Sequence, residues 1–243
     1  LHKEWSIRAL QAGIHVLCEK PLALNADDAR EMYAEAERCN RVLIEAFMYR
    51  AHPQTKQLVD FVQSGGIGEL KLIRTNMTFH REPSLSDARY QADQGGGSLM
   101  DVGCYCIDFT RTLAGAEPTQ LSCTPHIHDF GVDDYAVGTL GFESGLLATF
   151  TCGMTVESDP SAHIAGTDGY ISIMRFWNGE GYEVHRHDGS SDSVLSFEKR
   201  PLYAIEADAF AETIKGGPNW NLPENTINNM IVLDKLRESI TPR

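Results

Sequence analysis

The sequence predicts two unlike units in one chain: the C-terminal part of a parallel α/β sheet domain, then an α+β domain with an open, mainly antiparallel sheet. Three observations carry this. Strand, helix and strand patterns succeed one another within about 35 residues near the start, the spacing of a βαβ crossover. From about 118 to 197, short strand-like runs alternate with Gly, Asp and Asn turn signals. Helical patterns then return over about 203–215 and 225–240. The first unit is expected to span 1–48 and the second 49–243, with the last helix free to pack back on the first.

Each element has its reason. Trp5, Ile7, Ala9 and Leu10 gather on one side of a helix over 3–12, and Gly13 supplies a left-handed stop. Ile14, Val16 and Leu17 form an apolar run typical of a strand buried on both faces, ending at Cys18-Glu19-Lys20-Pro21. Asn25 is placed as the next N-cap, with Asp28 in the capping-box position and Met32 and Ala36 continuing the helix towards Asn40. Residues 41–48 (RVLIEAFM) then read as a strand. A helix from Pro53 to about Gln63 stops at Ser64-Gly65-Gly66, and a long strand over Glu69 to Phe79 follows. Further strands are expected at 136–142, 145–156 and 169–176, separated by turn signals, with no internal repeat.

Composition removes whole classes of function. With 21 Lys plus Arg against 34 Asp plus Glu, the net charge of −13 repels phosphate backbones and anionic lipids, so neither nucleic acid nor a membrane surface is expected as partner. No stretch reaches the roughly 18 to 20 apolar residues of a membrane span. The first residues lack the apolar core of a signal peptide, and a cytoplasmic chain is expected. Six scattered cysteines without a CxxC pair read as reduced, buried thiols. The chain opens at Leu1, without methionine, directly in a helical pattern, and reads as a fragment of a longer protein.

Two constellations carry chemistry. Lys20 sits just past the carboxyl end of a parallel strand, where open α/β sheets place their ligands, and Pro21 biases it towards an extended backbone. There it can hold a substrate oxygen that gains negative charge. In the segment 95–115, three glycines precede a helix begun by Ser98 as N-cap and ended by Gly115, with Asp101 and Tyr105 four apart on one face. Gly103 inside that helix costs about 1 kcal/mol relative to Ala, which makes sense if something approaches the backbone. A tyrosine beside a lysine is a workable acid/base because the ammonium lowers the phenol's pKa. The plainer readings are a capping box for Ser98-x-x-Asp101 and a core position for Tyr105. His126/His128 and His185/His187 could share strand faces, yet lack a third ligand nearby, so no metal is expected. Cys104 and Cys106 read as small packed residues, Arg50, His52 and Pro53 as a helix-start cluster, and Asp133 and Asp134 as a solvated turn. The dinucleotide fingerprint GxGxxG is absent, since Lys71 and Met100 stand where a third glycine would follow Gly66/Gly68 and the 95–97 triplet.

The pattern CEKP followed by GGG-x-L-x-D-x-G-x-Y resembles the Gfo/Idh/MocA family of NAD(P)-dependent oxidoreductases. The segments AGIHVLCEKPLA, EAFMYRAHP, SGGIGELK, GGGSLMDVGCYCID and FESG extend the similarity along the chain, and the tyrosine is similar to the branch of glucose-fructose oxidoreductase, xylose dehydrogenases and dihydrodiol dehydrogenases. The resemblance implies a Rossmann-type first domain and an oxidoreductase moving a hydride between NAD or NADP and a sugar, polyol or related hydroxyl or carbonyl substrate. It implies Lys20, Tyr105 and Asp101 as catalytic residues, and His2, Glu19, Lys20 and Pro21 as cofactor contacts. It also allows a cis Lys20–Pro21 bond and implies a homo-oligomer through the open sheet. The phosphate-binding half is expected to lie before Leu1, leaving the 243 residues alone a poor binder of NAD(P). Two alternatives stay open: a catalytically inactive binding or interaction module, and an NAD-dependent glycosidase of the same fold. Substrate choice is expected to lie in 80–94 and 125–165.

Overall fold

Asn25 begins the best-capped helix of the first 48 residues, and its neighbours explain the rest. In the computed structural model, which describes residues 1–195 and 200–240, α1 (His2–Gln11) ends at a Gly13 with φ +81°. Strand β1 (Val16–Glu19) lies parallel to β2 (Leu43–Ala46), with Val16 opposite Leu43. Between them α2 (Ala26–Arg38) starts where the Asn25 side chain accepts from the Asp28 N–H at 2.8 Å, and buries Met32 and Ala36. The expectation that β1 is buried on both faces is overturned. Val16 and Leu17 are half-buried and Ile14 is 57% exposed, because β2 is the one strand paired with β1 among the described residues. The second strand is also shorter than 41–48, since the chain turns at Phe47 into a 3-10 helix, Met48–Ala51.

Helix α3 (Pro53–Gln63) begins with Pro53 in its first turn and the His52 ring accepting from the Gln54 N–H at 3.2 Å, and Gly65 (φ +85°) follows its end. The remaining strands, β3 (Leu70–Thr78), β4 (Gln120–Ile127), β5 (Asp133–Gly141), β6 (Leu147–Gly153), β7 (Ser161–Gly166), β8 (Gly169–Met174), β9 (Gly181–Arg186) and β10 (Ser191–Leu195), form one sheet in the order β10-β9-β8-β7-β3-β6-β5-β4. As expected it is mainly antiparallel, with one parallel pair among the described residues. β3 lies between β6 and β7, parallel to the first and antiparallel to the second.

Period-two alternation gives this sheet two unlike faces. Ile73, Ala136, Leu140, Ala148, Phe150 and Cys152 are buried in the core that α4 (Cys104–Ala114) shares. The opposite face leaves Leu72, Val137, Leu147, Tyr170 and Met174 open to solvent, with Arg74, His163, Ser172 and Glu183 aligned in register between them. Helices α5 (Leu202–Ile214) and α6 (Pro223–Ile240) close the chain. The last helix packs back on the first elements: Asp234 accepts from the Ala26 N–H at 2.8 Å, and Arg237 donates to the Leu24 carbonyl at 2.8 Å. No helix among the described residues is long and apolar enough to cross a membrane. Positions 196–197 of the predicted strand region and 241–243 of the predicted second unit lie outside the described residues.

Candidate active site

The end of β1 delivers Lys20 to the start of α4. Its ammonium Nζ donates to the Asp101 carbonyl at 2.6 Å and to Asp101 Oδ1 at 3.1 Å, and stands 5.0 Å from the centre of the Tyr105 ring. Lys20, Asp101 and Tyr105, three residues singled out in the sequence, therefore meet. The Lys20 side chain is only 15% exposed, so it is not a solvated loop lysine. Burial pulls its pKa down, but Cys104 and Asp101 push it up, and the net direction is up. Burial raises the Cys104 thiol far above its ordinary value, so at neutral pH that group is uncharged and Asp101 is the counter-ion.

The helix carrying Asp101 does not start as the sequence suggested. Leu99–Gly103 form a π-helical turn before α4, and Ser98 has helical backbone angles without capping this turn. Asp133 caps instead: its Oδ2 accepts from the Leu99 N–H and from Ser98 Oγ, each at 2.7 Å. The capping-box reading of Ser98-x-x-Asp101 thus gives way, because a buried carboxylate 35 residues away satisfies the helix start and leaves Asp101 to bind cations. Nor are Asp133 and Asp134 a solvated turn. Both are buried, and Asp134 accepts from the His126 ring at 2.7 Å and from Thr155 Oγ1 at 2.9 Å. Gly103 does accommodate a close neighbour, since a Cβ there would fall 3.2 Å from Cys152 Sγ.

Tyr105 is buried against Phe47, whose ring lies edge-on at 5.0 Å, and its hydroxyl donates to Met48 Sδ at 3.5 Å. Burial, reinforced by Cys104 and Glu19, pushes the phenol well above its ordinary range. The expected lowering by Lys20 is overturned: the ammonium sits near the ring, while desolvation dominates at the hydroxyl. Tyr105 is accordingly a neutral donor. On α5, burial and Glu19 raise the Glu206 carboxyl to about 7, and Glu206 Oε1 has no hydrogen-bond partner.

Of the expected cofactor residues, His2 is tied to the Pro21 carbonyl at 3.0 Å through Nδ1, the Lys20–Pro21 peptide is cis, and Glu19 is exposed. His2 and Pro21 line a cavity of about 330 Å³ together with Gln94, Gly95 and Met100. His52 and Pro53 start α3, while Arg50 reaches Asp108 on α4 at 2.8 Å. Cys104 and Cys106 are buried, and all six cysteines are free thiols. His128 accepts from the Phe130 N–H, and His185 stacks on Tyr170.

The sequence reading missed Arg89, whose Nε donates to Asp101 Oδ2 at 2.8 Å, and Asp87, which accepts from Arg89 Nη1 at 3.3 Å. One signal was present. A triple glycine just before Asp101 marks a close backbone approach, and the partner approached at Gly96 is Arg89: a Cβ on Gly96 would fall 2.5 Å from its carbonyl oxygen.

Residues 1–47 match the family model described as oxidoreductase family, NAD-binding Rossmann fold, and residues 55–172 match the GFO/IDH/MocA C-terminal domain. The chain is 30% identical to a D-xylose 1-dehydrogenase (NADP(+)) of Haloferax volcanii, over 98% of this chain and 74% of that protein. It is 35% identical to the trans-1,2-dihydrobenzene-1,2-diol dehydrogenase of Mus musculus, over 72% of this chain and 53% of that one. A 3-ketoreductase from Actinomadura kijaniata, solved in complex with NADP and TDP-benzene, superposes with a TM-score of 0.88 at 29% identity, covering 99% of this chain and 75% of its own.

Proposed function

The chain belongs to the GFO/IDH/MocA family of NAD(P)-dependent oxidoreductases, and we propose that it acts on a hydroxyl or carbonyl carbon of a sugar or related polyol. The observation that carries this reading is the meeting of Lys20, Asp101 and Tyr105 at the end of β1, where a buried ammonium and a neutral phenol stand together.

The residues present fit the nicotinamide end of the cofactor. A cavity lined by His2, Pro21, Leu24 and Met100 opens at the residue that follows Lys20, and Gly95 lets the loop close on it, since a Cβ there would fall 2.5 Å from Leu24 Cδ2. His2, Glu19, Lys20 and Pro21 would hold that end, and no glycine fingerprint for the pyrophosphate occurs in these 243 residues. When bound, the cofactor supplies or accepts the hydride.

The chain's own residues handle the oxygen and its proton. The Lys20 ammonium spends two donors on Asp101, and the third is proposed to hold the substrate oxygen as it gains negative charge. The Tyr105 hydroxyl gives its proton to that oxygen in reduction and takes it back in oxidation. Its present acceptor, a thioether sulfur, is weak, so the hydroxyl exchanges this contact for a substrate oxygen at little cost. Asp101 keeps Lys20 charged and fixes its direction.

The open sheet face supports a homo-oligomer. Leu72, Val137, Leu147, Tyr170 and Met174 lie exposed on it, interspersed with Arg74, His163, Ser172 and Glu183, the mixed apolar and polar lining of a face that a second copy could cover. The activity is tested by following nicotinamide absorbance with the holoenzyme against a panel of aldoses, ketoses and polyols. Turnover of at least one is expected, and no turnover of any oxidised or reduced sugar with either cofactor overturns the assignment.

A further inference from the structure

We propose that Arg89 is a positioning residue of this reaction: by holding one oxygen of the Asp101 carboxylate, it keeps Lys20 from closing fully onto its counter-ion and leaves a donor free for substrate. The inference rests on the reading of Lys20 as the group that holds the reacting oxygen.

Arg89 is fixed on three sides. Its carbonyl accepts from the Gly97 N–H at 2.9 Å, its own N–H donates to Asp87 Oδ1 at 3.0 Å, and its Nε donates to Asp101 Oδ2 at 2.8 Å. Gly96 is the position where this contact could not tolerate a side chain, because the atom in the way is backbone and cannot swing aside. The residue belongs to the loop 80–94, expected from the sequence to bear on substrate choice, and it is tied to the segment that carries Asp101.

Five side chains then run in alternating sign from surface to core. Arg81 meets Asp87 at 3.0 Å, Asp87 meets Arg89 at 3.3 Å, Arg89 meets Asp101 at 2.8 Å, and Asp101 meets Lys20 at 3.1 Å. Asp101 is thus shared by two cations, one on each oxygen. An ammonium has three donors, and Lys20 uses two of them on Asp101. With Arg89 removed, both carboxylate oxygens become available to Lys20, and its third donor has a charged acceptor at hand instead of a substrate oxygen.

The other titratable groups around Lys20 do not substitute for Arg89. Glu19 is the exposed neighbour on its own strand, Cys104 is an uncharged thiol, and Tyr105 is a neutral phenol. Arg89 is therefore the cation that competes with Lys20 for Asp101.

The test reads Lys20 directly in the 243-residue chain, without cofactor. The rate of Lys20 acetylation by an active ester at pH 8 is measured by peptide mass spectrometry, with the exposed Lys56 as internal reference. Only the free amine reacts, so a more tightly held ammonium reacts more slowly. Loss of a like charge from a shared carboxylate shifts a pKa by about one unit, so Arg89→Gln is expected to slow Lys20 about tenfold relative to Lys56. Arg89→Lys, which keeps the charge, should stay within about twofold of the parent by the same reasoning. Should Arg89→Gln not fold, Arg89→Met, which keeps the aliphatic stem, carries the same expectation. An unchanged ratio in the uncharged variant overturns the proposal. So does a faster one, because a loop that merely packs would expose Lys20 when loosened. Turnover does not enter this readout, so failure of the dehydrogenase reading and failure of the role of Arg89 are separately visible.

Discussion

Replacing Glu45 by Gln should make the protein's stability markedly less sensitive to pH. Glu45 sits on β2, 1% exposed, and accepts from the Leu22 N–H at 2.9 Å through Oε1, which braces the turn just after Lys20–Pro21. Its Oε2 has no partner. Burial, then the nearby Asp108 charge, raises the carboxyl from 4.5 to about 7. The folded chain therefore keeps this proton up to about pH 7, while the unfolded chain releases it near 4.5. Between those values the folded state binds more protons, so stability falls as pH rises, and the advantage of the acid form is gone above 7. A displacement from 4.5 to about 7 corresponds to about 3 kcal/mol at the standard conversion per unit. Glutamine keeps the acceptor for Leu22 and cannot ionise. Urea unfolding at pH 5 and pH 8 measures the difference: because the unfolded carboxyl is already largely ionised at pH 5, the parent should lose about 2.5 kcal/mol more than Glu45→Gln between the two. Other titrating groups cancel in that comparison. Equal losses would refute the claim that Glu45 is held protonated by burial.

The remaining predictions concern the frame of the site. Gly96→Ala places a methyl 2.5 Å from the Arg89 carbonyl oxygen, and should cost about 2 kcal/mol in urea unfolding; a neutral result would mean the loop is free to shift. Asp133→Ala removes the acceptor of the Leu99 N–H and Ser98 Oγ, and should cost about 2 kcal/mol, while Asp133→Asn should cost less than half of that because its amide oxygen still accepts. Light scattering of a Val137→Lys/Leu147→Lys double variant, which puts charge on the open sheet face, should give a smaller particle than the parent; an unchanged mass argues that copies of the chain do not associate through that face.

Much of this site was legible because its signals are local. The strand-helix-strand spacing located Lys20 at the end of β1, and the four-residue spacing of Asp101 and Tyr105 placed both on the side that meets it. Asn25 and Gly13 behaved as caps and stops do, since both satisfy backbone groups of their own segment. What escaped was non-local. Ser98-x-x-Asp101 matches a capping box in sequence, but Asp133 from the next strand hairpin takes the capping role, and nothing within Ser98's own neighbourhood announces that. Arg89 lies in the loop 80–94, where substrate choice is expected but no single residue is marked by its sequence, and its value appears only when Gly96 brings the two backbones together. The parallel β3–β6 pair escaped for the same reason: turn signals describe how neighbouring strands in sequence join, not which distant strand is inserted between them. The phenol of Tyr105 was misjudged because spacing shows who stands near a group, whereas its pKa here is set first by how much water is excluded.

The central claim is that Tyr105 moves the proton while Lys20 holds the oxygen. Single-turnover hydride transfer by the holoenzyme with Tyr105→Phe, measured beside its affinity for the nicotinamide cofactor, tests it most directly. The account predicts a loss of about 10²-fold or more in the transfer rate with cofactor affinity nearly unchanged. Full-speed transfer in the variant would contradict it.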